Sequence, residues 1–378
     1  MSDKRRTYFV TGFPGFIGRR LVQHIARRHP DARIYLLVQP KFVDDARKLA
    51  KSMKGADLQL LQGDIVDMHL GLSSEEYARL CDEVTDIFHL AAIYYLGVPK
   101  EVARRVNVEG TRNVIELARD CKKLKRFSHF STAFVSGDRE GVIAEDELDM
   151  HQSFRNIYEE TKFQAEKLVR RAMKDVPTCI FRPSIVVGDS RTGEIDRFDG
   201  PYYLGILLVT SPLTVPLPLP GNGVAPLNVV PVDYVVEAAL AISDDPRATG
   251  RTFHLVDPNP MSSRKVYELI AERTNKKLPR VTLPARAAEA LLRFPVLEKL
   301  YRPQRAAISY VNHLAIYNSY NTLELLDGTG IRCPPLTTYL DKLVDFVRNY
   351  YRQRREEAAA VVEDPLDQPA QDRALAGE

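Results

Sequence analysis

The 378-residue chain has no run of about 20 uninterrupted apolar residues of the kind a membrane-crossing helix requires. Its most apolar stretch, Tyr202 to Pro220, is broken by Pro212, Pro216, Pro218 and Pro220, so no transmembrane helix is expected. An excess of one charge is also missing. The 53 basic and 50 acidic residues leave a formal +3, too little to argue for a nucleic-acid partner without a local basic patch. Cysteine is sparse: Cys81, Cys121, Cys179 and Cys333 lie far apart, with no CxxC pair and no histidine cluster beside them. That spacing removes the case for a zinc site or a disulfide framework, and a reducing, cytoplasmic setting is the simpler expectation. The opening residues are basic and then apolar, but Gly12, Pro14, Gly15 and Gly18 interrupt the apolar part, which reads as a strand and turn and not as a signal peptide. No internal repeat is visible, which sets solenoids aside.

What is present is globular: 44% hydrophobic and 27% charged residues, at a length that implies one large or two interleaved domains. Short β-branched or aromatic runs (Tyr8 to Thr11, Ile34 to Val38, Leu58 to Gln62, Ile87 to Ala91, Phe127 to Ser131, Thr178 to Arg182) alternate with longer helical patterns. Ile17, Leu21 and Ile25, for example, recur every four residues and form one apolar stripe. Alternation of this kind predicts an α/β, doubly wound parallel sheet. After Gly188 glycine and proline become dense, then Val232 to Ser243 reads as a helix and Thr252 to Val256 as a strand. The expected division is therefore a dinucleotide-type unit over 1–188 and about 226–258, and a smaller, mostly helical substrate unit over about 189–225 and 259–351. Residues 352–378, with few apolar anchors, read as a disordered tail.

The strongest local signal is Tyr8-Phe-Val-Thr-Gly12-Phe-Pro-Gly15-Phe16-Ile17-Gly18, a strand running through a glycine turn into an amphipathic helix. Glycines let the backbone approach a pyrophosphate, whose charge meets the open N–H groups at the start of the helix. A Rossmann-type fold follows from that context. A second signal is Tyr158-Glu-Glu-Thr-Lys162, where a spacing of four places phenol and ammonium on one helix face. Seventeen tyrosines make a chance match unsurprising, but Ser131 and Thr132, which end the strand before it, add a hydroxyl 26 or 27 residues upstream.

Together these segments resemble the extended branch of the short-chain dehydrogenase/reductase superfamily. The resemblance implies that Asp64 and Ile65, after the third strand, meet the adenine, and that Leu90, Ala91 and Asn107 touch the cofactor. An asparagine that merely fixes local backbone is an equal reading of Asn107. Ser131 or Thr132 can fill the hydroxyl role, and counting back from Gly137 favours Thr132 by analogy. Thr132, Tyr158 and Lys162 are then the expected catalytic set, with Lys162 lowering the phenol pKa and Thr132 orienting the substrate oxygen. Cofactor choice turns on Gln39-Pro40-Lys41. No acidic residue is there to repel a 2′-phosphate, and Lys41 can supply charge, so NADPH is expected, with NADH still open; a solvated lysine is the alternative.

Ordered blocks narrow the resemblance to the fatty acyl-CoA reductase and thioester reductase group, sometimes called male-sterility-like. They are Phe181-Arg182-Pro183-Ser184 through Gly188-Asp189 and Gly193-Glu194, then Phe198 to Tyr203, Leu227 to Tyr234, and Phe253 to Asp257. By this resemblance Pro183 lies beside the nicotinamide, and Tyr202, Tyr203 and Leu204 to Val209 help wall an acyl pocket; ordinary helix packing explains the same stripe. The implied reaction is reduction of a long-chain acyl thioester to an aldehyde, or onward to an alcohol. No adenylation or carrier region stands before the reductase-like part, so the expected donor is a separate acyl-CoA or carrier protein. The rival is a dehydrogenase of a secondary or sterol-like alcohol using the same three residues. Apolar regions around Leu204 and Leu291 permit peripheral membrane contact, although Ala288 to Leu300 reads equally as a core helix.

Overall fold

The computed structural model describes residues 5–94, 98–196, 223–275, 310 and 312–363. Seven strands form one sheet: β1 (Thr7–Thr11), β2 (Arg33–Val38), β3 (Asp57–Gln62), β4 (Asp86–His89), β5 (Arg126–Phe130), β7 (Thr178–Pro183) and β10 (Thr252–Leu255). Their order is β10-β7-β5-β4-β1-β2-β3, and every pair is parallel. This is the doubly wound α/β arrangement the alternation predicts.

Successive side chains on the strands face opposite sides, so both faces need cover. On one face Tyr8, Val10, Leu36, Phe88 and Phe181 pack with helix α1 (Phe16–Arg28) and the Val232–Asp244 helix. On the other, Phe9, Leu37, Ile87, Phe127 and Ile180 pack with the Gly110–Asp120 and Ile157–Ala172 helices. Each fully buried large side chain contributes roughly 1.5–3 kcal/mol. The chain leaves β1 toward β2 on one side and later fills β4 on the other, so a crevice opens at the carboxyl ends of β1 and β4.

Two short parallel pairs lie outside this sheet: β6 (Gly141–Ile143) with β11 (Ala315–Tyr317), and β8 (Ile185–Val187) with β9 (Val229–Pro231). Val187 and Val229 join Val266, Leu336, Tyr339 and Leu340 in a smaller core between the Ser263–Arg273 helix and the long Leu336–Glu363 helix. The segment after β8 is tied to α1, because Arg19 pairs with Glu194 at 2.7 Å and Asp196 at 2.5 Å. Leu325 and Leu326, on the Tyr320–Leu326 helix, belong to the core of the main sheet. Part of the stretch expected to form the substrate unit, Tyr320–Leu326, thus packs against the main sheet.

One boundary differs from expectation. The helix begun at Leu336 continues to Glu363, through the part of the tail expected to be disordered from 352. A run of Glu and Ala is poor in core anchors but rich in helix formers, and Arg352 reaches Glu356 at 3.9 Å one turn on. Residues 364–378 lie outside the described residues, as do Tyr202, Tyr203, the Leu204 to Val209 run, Leu291 and the Ala288 to Leu300 segment. Among the described residues no helix is long and apolar enough to cross a membrane, and no cluster of three His, Cys, Asp or Glu is placed to hold a metal.

Candidate active site

The glycine turn sits at the mouth of the crevice. Gly12 has φ +91°, and a Cβ there would meet Ala91 N at 2.9 Å and Leu90 Cβ at 3.0 Å, so only glycine lets β1 pass this close to the end of β4. A Cβ on Gly18 would lie 2.5 Å from Gly12 O. Gly15 caps α1 with no side-chain hydrogen bond, and no acidic residue occupies the first turn, so the N–H groups of Phe16 and Ile17 face the crevice ahead of the first helical bond, Arg19 N to Gly15 O. This cradle fits the pyrophosphate of a dinucleotide. The Arg20 guanidinium lies 4.3 Å over the Phe16 ring.

At the ends of β2 and β3, the Asp64 carboxylate accepts from Gln39 Nε2 at 2.7 Å and from Val66 N at 3.2 Å. Ile65 turns its side chain into the core against Gly110, where an added Cβ would meet it at 2.6 Å. Lys41 is exposed, its ammonium 4.9 Å over the Phe42 ring.

Between crevice and core runs a chain of hydrogen bonds. The Ala91 amide donates to Thr11 Oγ1 at 3.2 Å, leaving the Thr11 hydroxyl to donate to His89 Nδ1 at 2.8 Å. His89 Nε2 then donates to Thr111 Oγ1 at 3.0 Å, and Thr111 donates to Asn107 O at 2.7 Å. Burial, with the Lys162 charge, holds His89 down at about 3, so its ring is neutral. The Asn107 amide is spent on the protein: it accepts from Ile93 N at 2.8 Å and donates to Ile93 O at 3.0 Å and Thr161 Oγ1 at 2.9 Å. These bonds tie Asn107 to the backbone of Ile93 and to the Thr161 hydroxyl.

The residues expected to carry the chemistry meet where β5, β7 and the Ile157–Ala172 helix converge. Asn156 caps that helix by accepting from Glu159 N at 3.0 Å, and Tyr158 and Lys162 follow on one face. Lys162 is buried and donates to Phe130 O at 2.6 Å; burial draws its pKa down to about 8. Tyr158 shares a hydrogen bond with Thr132 that draws its pKa down, but burial outweighs this and the phenol is shifted up. The Lys162 ammonium keeps its charge while it donates to the Phe130 carbonyl. Thr132 Oγ1 accepts from Phe134 N at 3.3 Å and lies 3.5 Å from the buried Pro183 O. Ser131 donates to Glu166 at 2.6 Å, which leaves Thr132 as the hydroxyl beside Tyr158.

A family model described as male sterility protein matches residues 10–239, more than half of the chain. The chain belongs to the male sterility protein family. Its relatives include the fatty acyl-CoA reductase wat of Drosophila melanogaster, 28% identical over 289 residues that cover 65% of this chain and 55% of that protein. The aldehyde reductase lnaA of Aspergillus flavus is 27% identical over 407 residues, 97% of this chain and 38% of the relative. The chain thus spans about half or less of these two relatives. The solved terminal R domain of the myxalamid PKS-NRPS pathway is 29% identical, with TM-score 0.79 over 93% of this chain and 92% of that one. As a male sterility family protein the chain is an extended short-chain dehydrogenase/reductase, with the fold that its motifs imply.

Several residues that shape this male sterility family site carry no local signature. Thr11, His89 and Thr111 are buried polar groups on three separate elements. Glu166 and Arg182 form a buried ion pair at 2.7 Å between helix and strand. The i, i+4 step from Lys162 points to Glu166, and Arg182 stands in the Phe181-Arg182-Pro183-Ser184 block.

Proposed function

We propose that this chain is an NADPH-dependent reductase of a long-chain acyl thioester, either acyl-CoA or carrier-bound, giving an aldehyde. The observation that carries the reading is the hydrogen bond between the Thr132 hydroxyl and the Tyr158 phenol just past the end of β5. Names of the relatives, a fatty acyl-CoA reductase and an aldehyde reductase, support it. A bound nicotinamide dinucleotide supplies the hydride. Gly12, Gly15, Phe16, Ile17 and Gly18 hold its pyrophosphate, while Asp64, Leu90 and Ala91 line the crevice and Ile65 offers backbone only. The absence of an acidic residue at Gln39-Pro40-Lys41 supports NADPH.

At the thioester carbonyl, Thr132 and Tyr158 stabilise the oxyanion as it develops, and the thiolate leaves. A phenol that keeps its proton at neutral pH is the state a reduction needs, since the oxygen must gain a hydrogen-bond donor. Residues 1–188 and about 226–258 serve the dinucleotide, and the remaining units serve the acyl chain.

The test is NADPH oxidation across a length series of acyl-CoAs, with aldehyde trapped as an oxime. Burial of about 0.8 kcal/mol per methylene makes kcat/KM rise with chain length until the pocket is full. Flat dependence on length contradicts a long-chain substrate.

A further inference from the structure

Tyr158, Lys162 and Glu166 stand at successive i, i+4 positions along one face of the Ile157–Ala172 helix. Glu166 is 0% exposed, and every bond its carboxylate makes is charged or short: Ser131 Oγ at 2.6 Å, Arg182 Nε at 3.0 Å and Nη2 at 2.7 Å, and Arg170 Nε at 3.0 Å. The two guanidiniums are themselves fixed. Arg182 donates to Glu147 O at 2.7 Å, and Arg170 donates to Asp146 O at 2.6 Å. The titratable groups that face Lys162 are Tyr158 and Glu166 on its own helix, His89 on β4 and His129 on β5, and burial holds both imidazoles neutral. Glu166 is therefore the carboxylate that favours the charged form of Lys162 in a desolvated site.

We propose that Glu166 is a positioning residue with two tasks: it keeps Lys162 charged, and it withdraws the Ser131 hydroxyl so that Thr132 alone faces the substrate oxygen beside Tyr158. The inference rests on the Thr132, Tyr158 and Lys162 reading above. Arg182 holds Glu166 ionised, so the carboxylate acts as a fixed charge and not as a proton donor.

The experiment compares pH profiles of kcat/KM for wild type, Glu166→Gln, Glu166→Asp and the pair Glu166→Gln/Arg182→Gln. Wild type loses activity on the alkaline side near pH 8, as Lys162 gives up its proton. Glu166→Gln moves that limb to lower pH by about one unit or more, and Glu166→Asp returns most of the shift. If Glu166→Gln leaves Arg182 uncompensated and unfolds the chain, the paired variant removes both charges and carries a smaller shift in the same direction. A limb that stays in place in a folded chain lacking the Glu166 carboxylate overturns the first task, because a merely structural role changes the melting temperature and not the profile. Ser131→Ala tests the second: its turnover falls at least about tenfold less than that of Thr132→Ala, and an equal loss overturns it. Lys162→Met separates the two levels. Wild-type turnover in that variant sinks the catalytic reading itself, whereas an inactive Lys162→Met beside an unmoved limb sinks only the Glu166 inference.

Discussion

Lys162 is anchored on Phe130: the buried ammonium of a helix residue donates at 2.6 Å to the carbonyl of the last residue of a central strand. The strand end and the helix that bear Thr132 and Tyr158 are thereby fixed to each other.

Tyr158→Phe removes the phenol oxygen and leaves the glycine cradle intact. Turnover is expected to fall by about two to four orders of magnitude, while dinucleotide affinity changes by less than about tenfold. Steady-state rates set beside a fluorescence titration of the cofactor check both halves.

Gly12→Ala forces a side chain into φ +91° and to 2.9 Å from Ala91 N. The expected cost is about 1–3 kcal/mol of stability, with a larger proportional loss in cofactor binding than in the melting transition, because the backbone that must move is the pyrophosphate cradle. Denaturant unfolding and a binding titration on the same preparation measure the two.

Lys41→Ala removes a cation three residues past the end of β2. If this ammonium meets a 2′-phosphate, NADPH affinity falls by about tenfold and NADH affinity stays the same; solvent exposure keeps the effect at the low end for a charged contact. Equal losses for both cofactors assign the lysine to solvent and to the Phe42 ring, 4.9 Å away.

Stability should decline as pH falls below the ordinary histidine range. His89 and His254 are held at about 3 in the folded chain, against 6.5 unfolded, by burial first in each case. A folded value below the unfolded one means that the unfolded chain binds the proton first. Stability is full above about pH 6.5 and is lost as pH falls toward 3, by about 1.4 kcal/mol per pH unit for each group. Urea unfolding at pH 7 and pH 5 should show a smaller pH difference in His254→Asn than in wild type. An identical difference removes His254 from the account.

The strands of the main sheet are readable because each is a short apolar run between helical periods, and β1, β2 and β7 start within a residue of their expected positions. The pair β6 and β11 is not: three residues each are too few for a period, and their partners are far apart in the chain. The same divide runs through the site. Gly12 and the Tyr158 to Lys162 step are local patterns, set by a turn and by one helical repeat. His89 bonded between Thr11 and Thr111, and Glu166 paired with Arg182, arise only when distant elements pack. The tail shows the converse, since a composition lacking core anchors still propagates a helix already begun at Leu336.

The central claim is that Thr132 and Tyr158 act on a thioester carbonyl. The most direct measurement is the thiol released from a long-chain acyl-CoA, titrated against NADPH consumed, in wild type and in Tyr158→Phe. The account predicts one free thiol for each NADPH, or for each two where the aldehyde is reduced onward, and neither product from the variant. NADP⁺ reduction by a secondary alcohol, with no thiol released from any acyl-CoA or carrier-bound thioester, contradicts it.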